Sequence, residues 1–319
     1  MNKIFFMAAI STLCSHAAYA QPYPAKPVKL MVGFAAGGAA DVTARVLAPR
    51  LAEAFGQQFV IENRGGSGGL LATDAVSKSP ADGYTLLLMP AADTIQPAMR
   101  RKLPYDLERD FVPVTRIVFG PWFMIVHPSV PAKNLKEFIA IARASPGKLN
   151  YASSGVGSSA QMVAELLNSL GGIKLTHVPY KGAAPGMTGV MAGEADLMFN
   201  GLPSALPFIK AGRLRALAVG GARRTPLLPA LPTVAESGIS FDYSGWFAVV
   251  APARTAPTVA TRLHDALAKI LARADMKDQL SEQGIEPIGS TPAQFAVFLR
   301  EENSRLEKVV VAAGLRQNK

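Results

Sequence analysis

Val28-Lys29-Leu30-Met31-Val32-Gly33-Phe34-Ala35-Ala36-Gly37-Gly38-Ala39-Ala40-Asp41 is the stretch on which the fold turns. Val28 to Val32 is a short apolar run rich in β-formers behind a proline, the pattern of a buried strand. Gly37-Gly38 allows a sharp turn and a close backbone approach, with no Cβ in the way. From Asp41 onward Val42, Val46, Leu47, Leu51 and Phe55 recur at helical spacing. A helix start behind glycines presents free N–H groups and a partial positive charge, which suits a carboxylate or phosphate. The alternative is an ordinary strand–turn–helix connection, and on this stretch alone that alternative leads.

The same arrangement repeats outward. Phe59 to Asn63 reads as a strand, Arg64 to Gly69 as a glycine loop, and Leu70 to Val76 as a helix. The turn Pro80-Ala81-Asp82-Gly83 releases Tyr84 to Met89, an apolar run without alternation, as in a strand buried on both faces. Three such alternations predict a parallel sheet with helices on both sides. Pro49 is expected to kink or shorten the first helix. Residues 97–121, rich in proline and charge, read as connecting structure, and Trp122 to Val126 as the next strand. Leu135 to Ala144 is a helix stopped by Ser145-Pro146-Gly147. Leu149 to Ser153 is a strand feeding a third special loop, Ser154 to Ser159, and a helix that buries Met162, Val163 and Leu167. Strands follow at 195–199 and 214–219, with a short helix at 205–210 between them. Tyr243 to Val250 resembles the Gly120-Pro121-Trp122-Phe123 segment roughly 125 residues earlier, the pattern of a chain passing twice between two domains. Amphipathic helices at 257–273 and after Thr291-Pro292 close the chain.

Composition narrows the classes. The 319 residues suffice for two domains, and 49% apolar against 18% charged residues describes a globular chain. The formal charge of +10 is scattered, with no basic run interleaved with aromatics, so a nucleic-acid partner is not expected. Residues 1–20 read as a secretory leader: Lys3, the apolar stretch Ile4 to Leu13, and Ala18-Tyr19-Ala20 as cleavage site. The single cysteine, Cys14, falls inside it, so the chain from Gln21 has no disulfide, thiol nucleophile or cysteine metal site. No later run reaches the ~18 apolar residues of a membrane helix. The expectation is an exported, soluble protein, cleaved after Ala20.

Gly155-x-Gly157-x-x-Ala160 formally fits a dinucleotide fingerprint, yet the acidic residue wanted about twenty positions on is missing from Leu175 to Gly182. The hydroxyls give a better reading. Ser153, Ser154, Ser158 and Ser159 surround two glycines at a helix start, and hydroxyl and amide donors together make a carboxylate receptor. The plainer reading is that they cap the helix, and one of them must. No catalytic constellation emerges: G-x-x-x-x-G-K-[ST], G-x-S-x-G and H-E-x-x-H are absent, and His127, His177 and His264 lie in different elements. Asp41 and Asp196 have easier structural roles than general base. No catalytic residue, metal or cofactor is expected.

These residues carry a resemblance. The chain resembles the tripartite tricarboxylate transporter substrate-binding family, also called Bug proteins, which are type II periplasmic binding proteins. The matching stretches are Val32 to Gly38 with Asp41, Glu62-Asn63-Arg64, Pro80 to Tyr84, Tyr151 to Ser159, His177 to Gly182, Leu202 to Ala205, Leu214 to Val219 and Leu231 to Glu236. They span nearly the whole chain after the leader. The resemblance implies two doubly wound α/β lobes joined by two crossing strands, with a ligand cleft between them. Lobe 1 would comprise residues 21–122 and 224–319, and lobe 2 residues 123–223. The loop at Phe34, Ala35, Gly37, Gly38 and Asp41 would face Ser153, Ser154, Gly157, Ser158 and Ser159. Tyr180, Lys181 and Gly182 would lie beside them, and Asn200 and Trp246 complete the expected site. The ligand implied is a small organic carboxylate, a di- or tricarboxylate or an aromatic acid. The partners implied are integral membrane transporter subunits or a sensor receptor, with the receptor itself a monomer.

Two departures bear on the ligand. Gln161 stands where relatives often carry His, and Phe199-Asn200-Gly201 where they often have Phe-Asp-Asn. Losing that carboxylate removes a natural partner for a ligand ammonium, so a plain carboxylate is expected over an amino acid. Three classes of function stand at this point: a binding protein serving a permease, a ligand sensor signalling to a receptor, and a nucleotide-dependent enzyme. The missing ribose acid and catalytic cluster count against the last.

Overall fold

The computed structural model describes residues 23–316, except 100–101, 242, 283, 313 and 315. The leader, Cys14 and the cleavage site lie outside the described residues. Strand β1 (Val28–Val32) leads into α1 (Ala39–Phe55), β2 (Phe59–Asn63), a 3-10 turn at Ser67–Gly69, α2 (Leu70–Ser77) and β3 (Thr85–Pro90). β1 pairs in parallel with both β2 and β3. Leu86 to Met89 are buried throughout, which explains the unbroken apolar run. α1 is not cut short at Pro49 but runs to Phe55, because Leu47 and Leu51 on either side are buried against the sheet.

Next come α3 (Ala92–Met99) and β4 (Phe111–Val126), where the sequence reading had connecting structure over 97–121. β4 is one strand of 16 residues that belongs to both sheets. Its prolines hid it. Pro113 falls at a register shift, and Pro121 at the point where pairing changes partner, both places where a missing N–H is tolerated.

The second lobe follows with α4 (Leu135–Ala144), β5 (Asn150–Ser153), α5 (Ser159–Gly171), β6 (Thr176–Pro179), α6 (Ala183–Met191), β7 (Leu197–Gly201), α7 (Leu202–Lys210) and β8 (Arg215–Val219). Here β5 pairs in parallel with β6 and β7, while the far half of β4 pairs antiparallel with β7 and β8. The return strand β9 (Ser244–Pro252) lies between β3 and β4, and α8 (Pro257–Ala272), α9 (Ala274–Ser281), β10 (Glu286–Pro287) and α10 (Pro292–Ala312) complete the first lobe.

Along β4 the ladder changes hands within two residues. Gly120 and Pro121 face Gly245 and Ser244 of β9; Trp122 and Phe123 face Gly201 and Asn200 of β7. The two aromatic-led segments thus pair with each other at the crossing. Val234 and Phe241, in the stretch 224–241 that was expected in lobe 1, share a buried cluster with Phe138, Tyr151 and Met162 of the second lobe. Ile95 and Met99 of α3 and Leu306 and Val310 of α10 join that same cluster, so both helices pack across the lobes.

Candidate functional site

The loops after β1, β3 and β5 leave the carboxyl ends of parallel strands, where open α/β sheets form their binding crevices. They enclose a cavity of about 50 Å³ between the lobes. Phe34, Gly38, Ala39 and Ala40 form one wall, Pro90 and Ala91 extend it, and Ser154, Ser159, Ala183 and Asn200 form the other. Trp122, Gly245, Trp246 and Phe247 of the crossing strands close its base. A water needs ~10–15 Å³ by this measure, so the closed space holds only a handful of heavy atoms and a longer ligand requires the lobes to part.

None of the lining side chains is charged. The electrostatics come from the backbone instead. α1, α5 and α6 begin at Ala39, Ser159 and Ala183, and Ala91 directly precedes α3, so four helices start at the cavity wall. Each contributes the equivalent of about half a positive charge at its first turn. No side chain caps α1 or α6, leaving their first amides for a ligand.

The residues expected at the site divide into two groups. Phe34, Gly38, Ser154, Ser159, Asn200 and Trp246 line the cavity. The others build the loops that hold them. Asp41 is buried, and its Oδ2 accepts from the Gly37 amide (2.9 Å) and Arg45 Nε (2.8 Å). Burial pushes its pKa up, but Arg45, the Gly37 amide and Asn63 together hold it below the ordinary value. It pins the first turn as a carboxylate. Gly37 has φ +82°, which favours glycine there. Ser153 is fully buried, its hydroxyl 2.6 Å from His177 Nε2 and bonded to the Gly155 backbone. Burial lowers the His177 pKa, which keeps that ring neutral, and it stacks on Tyr151 at 4.8 Å. Ser158 is the N-cap of α5, accepting from the Gln161 amide (3.4 Å), while Gln161 Oε1 takes the Gly157 amide (2.7 Å). Tyr180 donates to Glu194 (3.0 Å) and Lys181 is exposed, so neither reaches the cavity. Ala35 and Gly182 form the seam between lobes: a Cβ on Gly182 would lie 2.8 Å from the Ala35 Cβ.

Trp122, Pro90, Ala91, Ala183, Gly245 and Phe247 were not anticipated. Gly245 is confined to glycine by the fold, since a Cβ there would lie 2.8 Å from the Trp122 Nε1. Gln96 was also missed. Its Nε2 donates to Ser67 O (3.2 Å) in the first lobe and Gly157 O (3.0 Å) in the second, and a Cβ on Gly68 would lie 2.7 Å from Val156 O. The lobes are latched here. The larger concavity of about 880 Å³ between α1 and α8 carries Arg50, Arg262 and Arg273 and lies away from both turns.

Two α/β lobes, a double crossing and a cavity walled by helix starts from both sides define a two-lobed solute-binding protein of the type II periplasmic kind. The chain belongs to the tripartite tricarboxylate transporter receptor family, whose model matches residues 43–315. This is a family of periplasmic binding proteins rather than of enzymes. Protein BugT of Bordetella pertussis is 35% identical over 98% of this chain and 99% of its own length. The R. palustris protein Rpa4515, solved with adipate, superposes with a TM-score of 0.89 at 37% identity, covering 92% of this chain and 98% of that one. MatC from Rhodopseudomonas palustris with bound malate gives 0.86 at 31% identity, covering 90% and 100%.

Proposed function

We propose that this chain is an exported receptor that closes its lobes on a small organic carboxylate lacking an ammonium group and presents it to integral membrane transporter subunits. The observation that carries this reading is the meeting of four helix starts and the Ser154 and Ser159 hydroxyls on a cavity without a charged side chain. Fixed backbone and hydroxyl donors replace the hydration of an anion without a formal charge in the wall. Asn200, buried at the wall, donates to Ser204 Oγ (2.8 Å) and offers no negative charge to an ammonium. That relatives were solved with adipate and with malate supports the same ligand class. Lobe closure follows the hinge logic of binding proteins, the Gln96 latch holding the shut form. The receptor has no catalytic step in this reading, and it acts as a monomer after removal of the leader.

Thermal-shift titration of the chain from Gln21 against a carboxylate panel tests this. A linear dicarboxylate at a hundred times its Kd is expected to stabilise by ~2.7 kcal/mol, or about 5 °C in midpoint. A panel of aliphatic and aromatic acids that leaves the midpoint unmoved would refute it.

A further inference from the structure

Behind the crossing strands, on the side away from the closed cleft, lies a second cavity of about 610 Å³, within the size range of small-molecule sites. β4 contributes Arg116, β9 contributes Ser244 and Trp246, α10 contributes Phe298 and Arg305, and the loop after β8 contributes Arg223. Its walls therefore come from the crossing strands, from the first lobe and from a segment packed on the second.

Three donors here are left over by the fold. Arg116 Nε, Ser244 Oγ and Trp246 Nε1 are all buried without a hydrogen-bond partner among the described residues. Arg116 is half-buried with its guanidinium 3.9 Å over the Phe298 ring, and burial lowers its pKa. The nearby Glu302 partly offsets that cost by its charge, but both its oxygens bond Arg305 at 2.8 Å and none bonds Arg116. Of the four arginines that line the cavity, Arg223, Arg224 and Arg305 pair with Glu286, Glu236 and Glu302, whereas Arg116 makes no ion pair within 4 Å among the described residues. Buried donors without acceptors are costly, and a native structure that keeps three of them on the wall of one cavity is built to receive an acceptor.

We propose that this cavity is a second ligand site, separate from the cleft, that binds a small oxyanion through Arg116 with Ser244 as second donor. Carboxylate and phosphoryl groups share the required chemistry, a planar or tetrahedral set of oxygens facing a guanidinium fork. Trp246 forms part of the wall of both cavities, so occupancy of one site bears on the other through the crossing strands.

The test is calorimetric titration of the chain from Gln21 with inorganic phosphate and, separately, acetate. Saturable binding of either probe is expected, weakened at least ~10-fold by Arg116→Gln and less by Arg116→Lys. Cleft binding of a dicarboxylate should change by less than ~2-fold in Arg116→Gln, which separates this site from the cleft. Ser244→Ala, a smaller change, should weaken the same probe ~3-fold or more and serves if Arg116→Gln fails to fold. Absence of saturable binding by both probes, or binding that both Arg116→Gln and Ser244→Ala leave intact, would overturn the proposal.

Discussion

The two sides of the crossing strands treat charge in opposite ways. The cleft side has a cavity of about 50 Å³ with no charged lining residue, ringed by helix starts. The hinge side has about 610 Å³ lined by four arginines and two glutamates. A count of basic side chains would place the anion site behind the hinge. Physical reasoning places the selective site in front. There the donors are fixed in the backbone, water is excluded on closure, and the field of several helix termini acts in a low dielectric. Arginine side chains around a wider cavity give attraction with less selectivity.

The sharpest way to break this contrast is to charge the neutral side. Asn200→Asp puts a carboxylate into the cleft wall, and a like charge near ~4 Å costs about 4 kcal/mol at a protein-surface dielectric. Dicarboxylate affinity should fall at least ~100-fold in a calorimetric titration. A fall below fivefold would mean that the ligand does not sit against Asn200. Gly68→Ala comes next. Its Cβ would meet Val156 O at 2.7 Å and the Gly157 carbonyl carbon at 2.8 Å, both backbone atoms, so the closed form is wedged apart. Overpacking of ~1–3 kcal/mol predicts a roughly 10- to 100-fold loss of affinity, with a larger ligand-bound radius of gyration by small-angle scattering.

Smaller effects separate residues that the sequence could not. Ser154→Ala with Ser159→Ala removes two hydroxyls from the cleft and should weaken binding about tenfold without lowering the thermal midpoint of the free protein. Ser158→Ala should do the reverse, lowering the midpoint through loss of a helix cap of ~1 kcal/mol while affinity changes little. Asp93, in the first turn of α3, is fully buried, and burial pushes its pKa up to about 7 against the opposing hydrogen bond from Thr73. With the folded pKa above the unfolded one, its contribution to stability is complete below about pH 4 and is lost as pH rises to about 7. The midpoint should therefore fall by a few degrees between pH 5 and 8, and Asp93→Asn should flatten that slope. An unchanged slope in the variant would assign it to other groups.

Much of this was legible in the sequence, and the failures have physical causes. The glycine turns at Gly37-Gly38 and Gly155-x-Gly157 announced themselves because tight strand-to-helix turns need positive φ, found at Gly37, Gly155 and Gly157. The serine loop was found as a set, but which hydroxyls face inward depends on the turn path. Ser153 and Ser158 fold back to bond the loop, while Ser154 and Ser159 line the cavity. α3 was passed over: residues 90–96 were given no element and Pro97 was placed in connecting structure, while Asp93, Thr94 and Gln96, polar in sequence, are all buried. The first half of β4 was missed because its two prolines sit at a bulge and at the sheet-to-sheet handover, which no local pattern reveals. The base of the cavity depends on Gly245 lying opposite Gly120 across the crossing, a long-range pairing.

The central claim is that fixed neutral donors hold the anion and that nothing in the cleft receives an ammonium. Calorimetric titration of the chain from Gln21 with succinate and with aspartate isolates that claim, because the two differ only by the ammonium group. The account predicts that succinate binds at least ~10-fold more tightly, the cost of desolvating an unpaired ammonium. Aspartate binding as tightly as succinate, or more so, would contradict it.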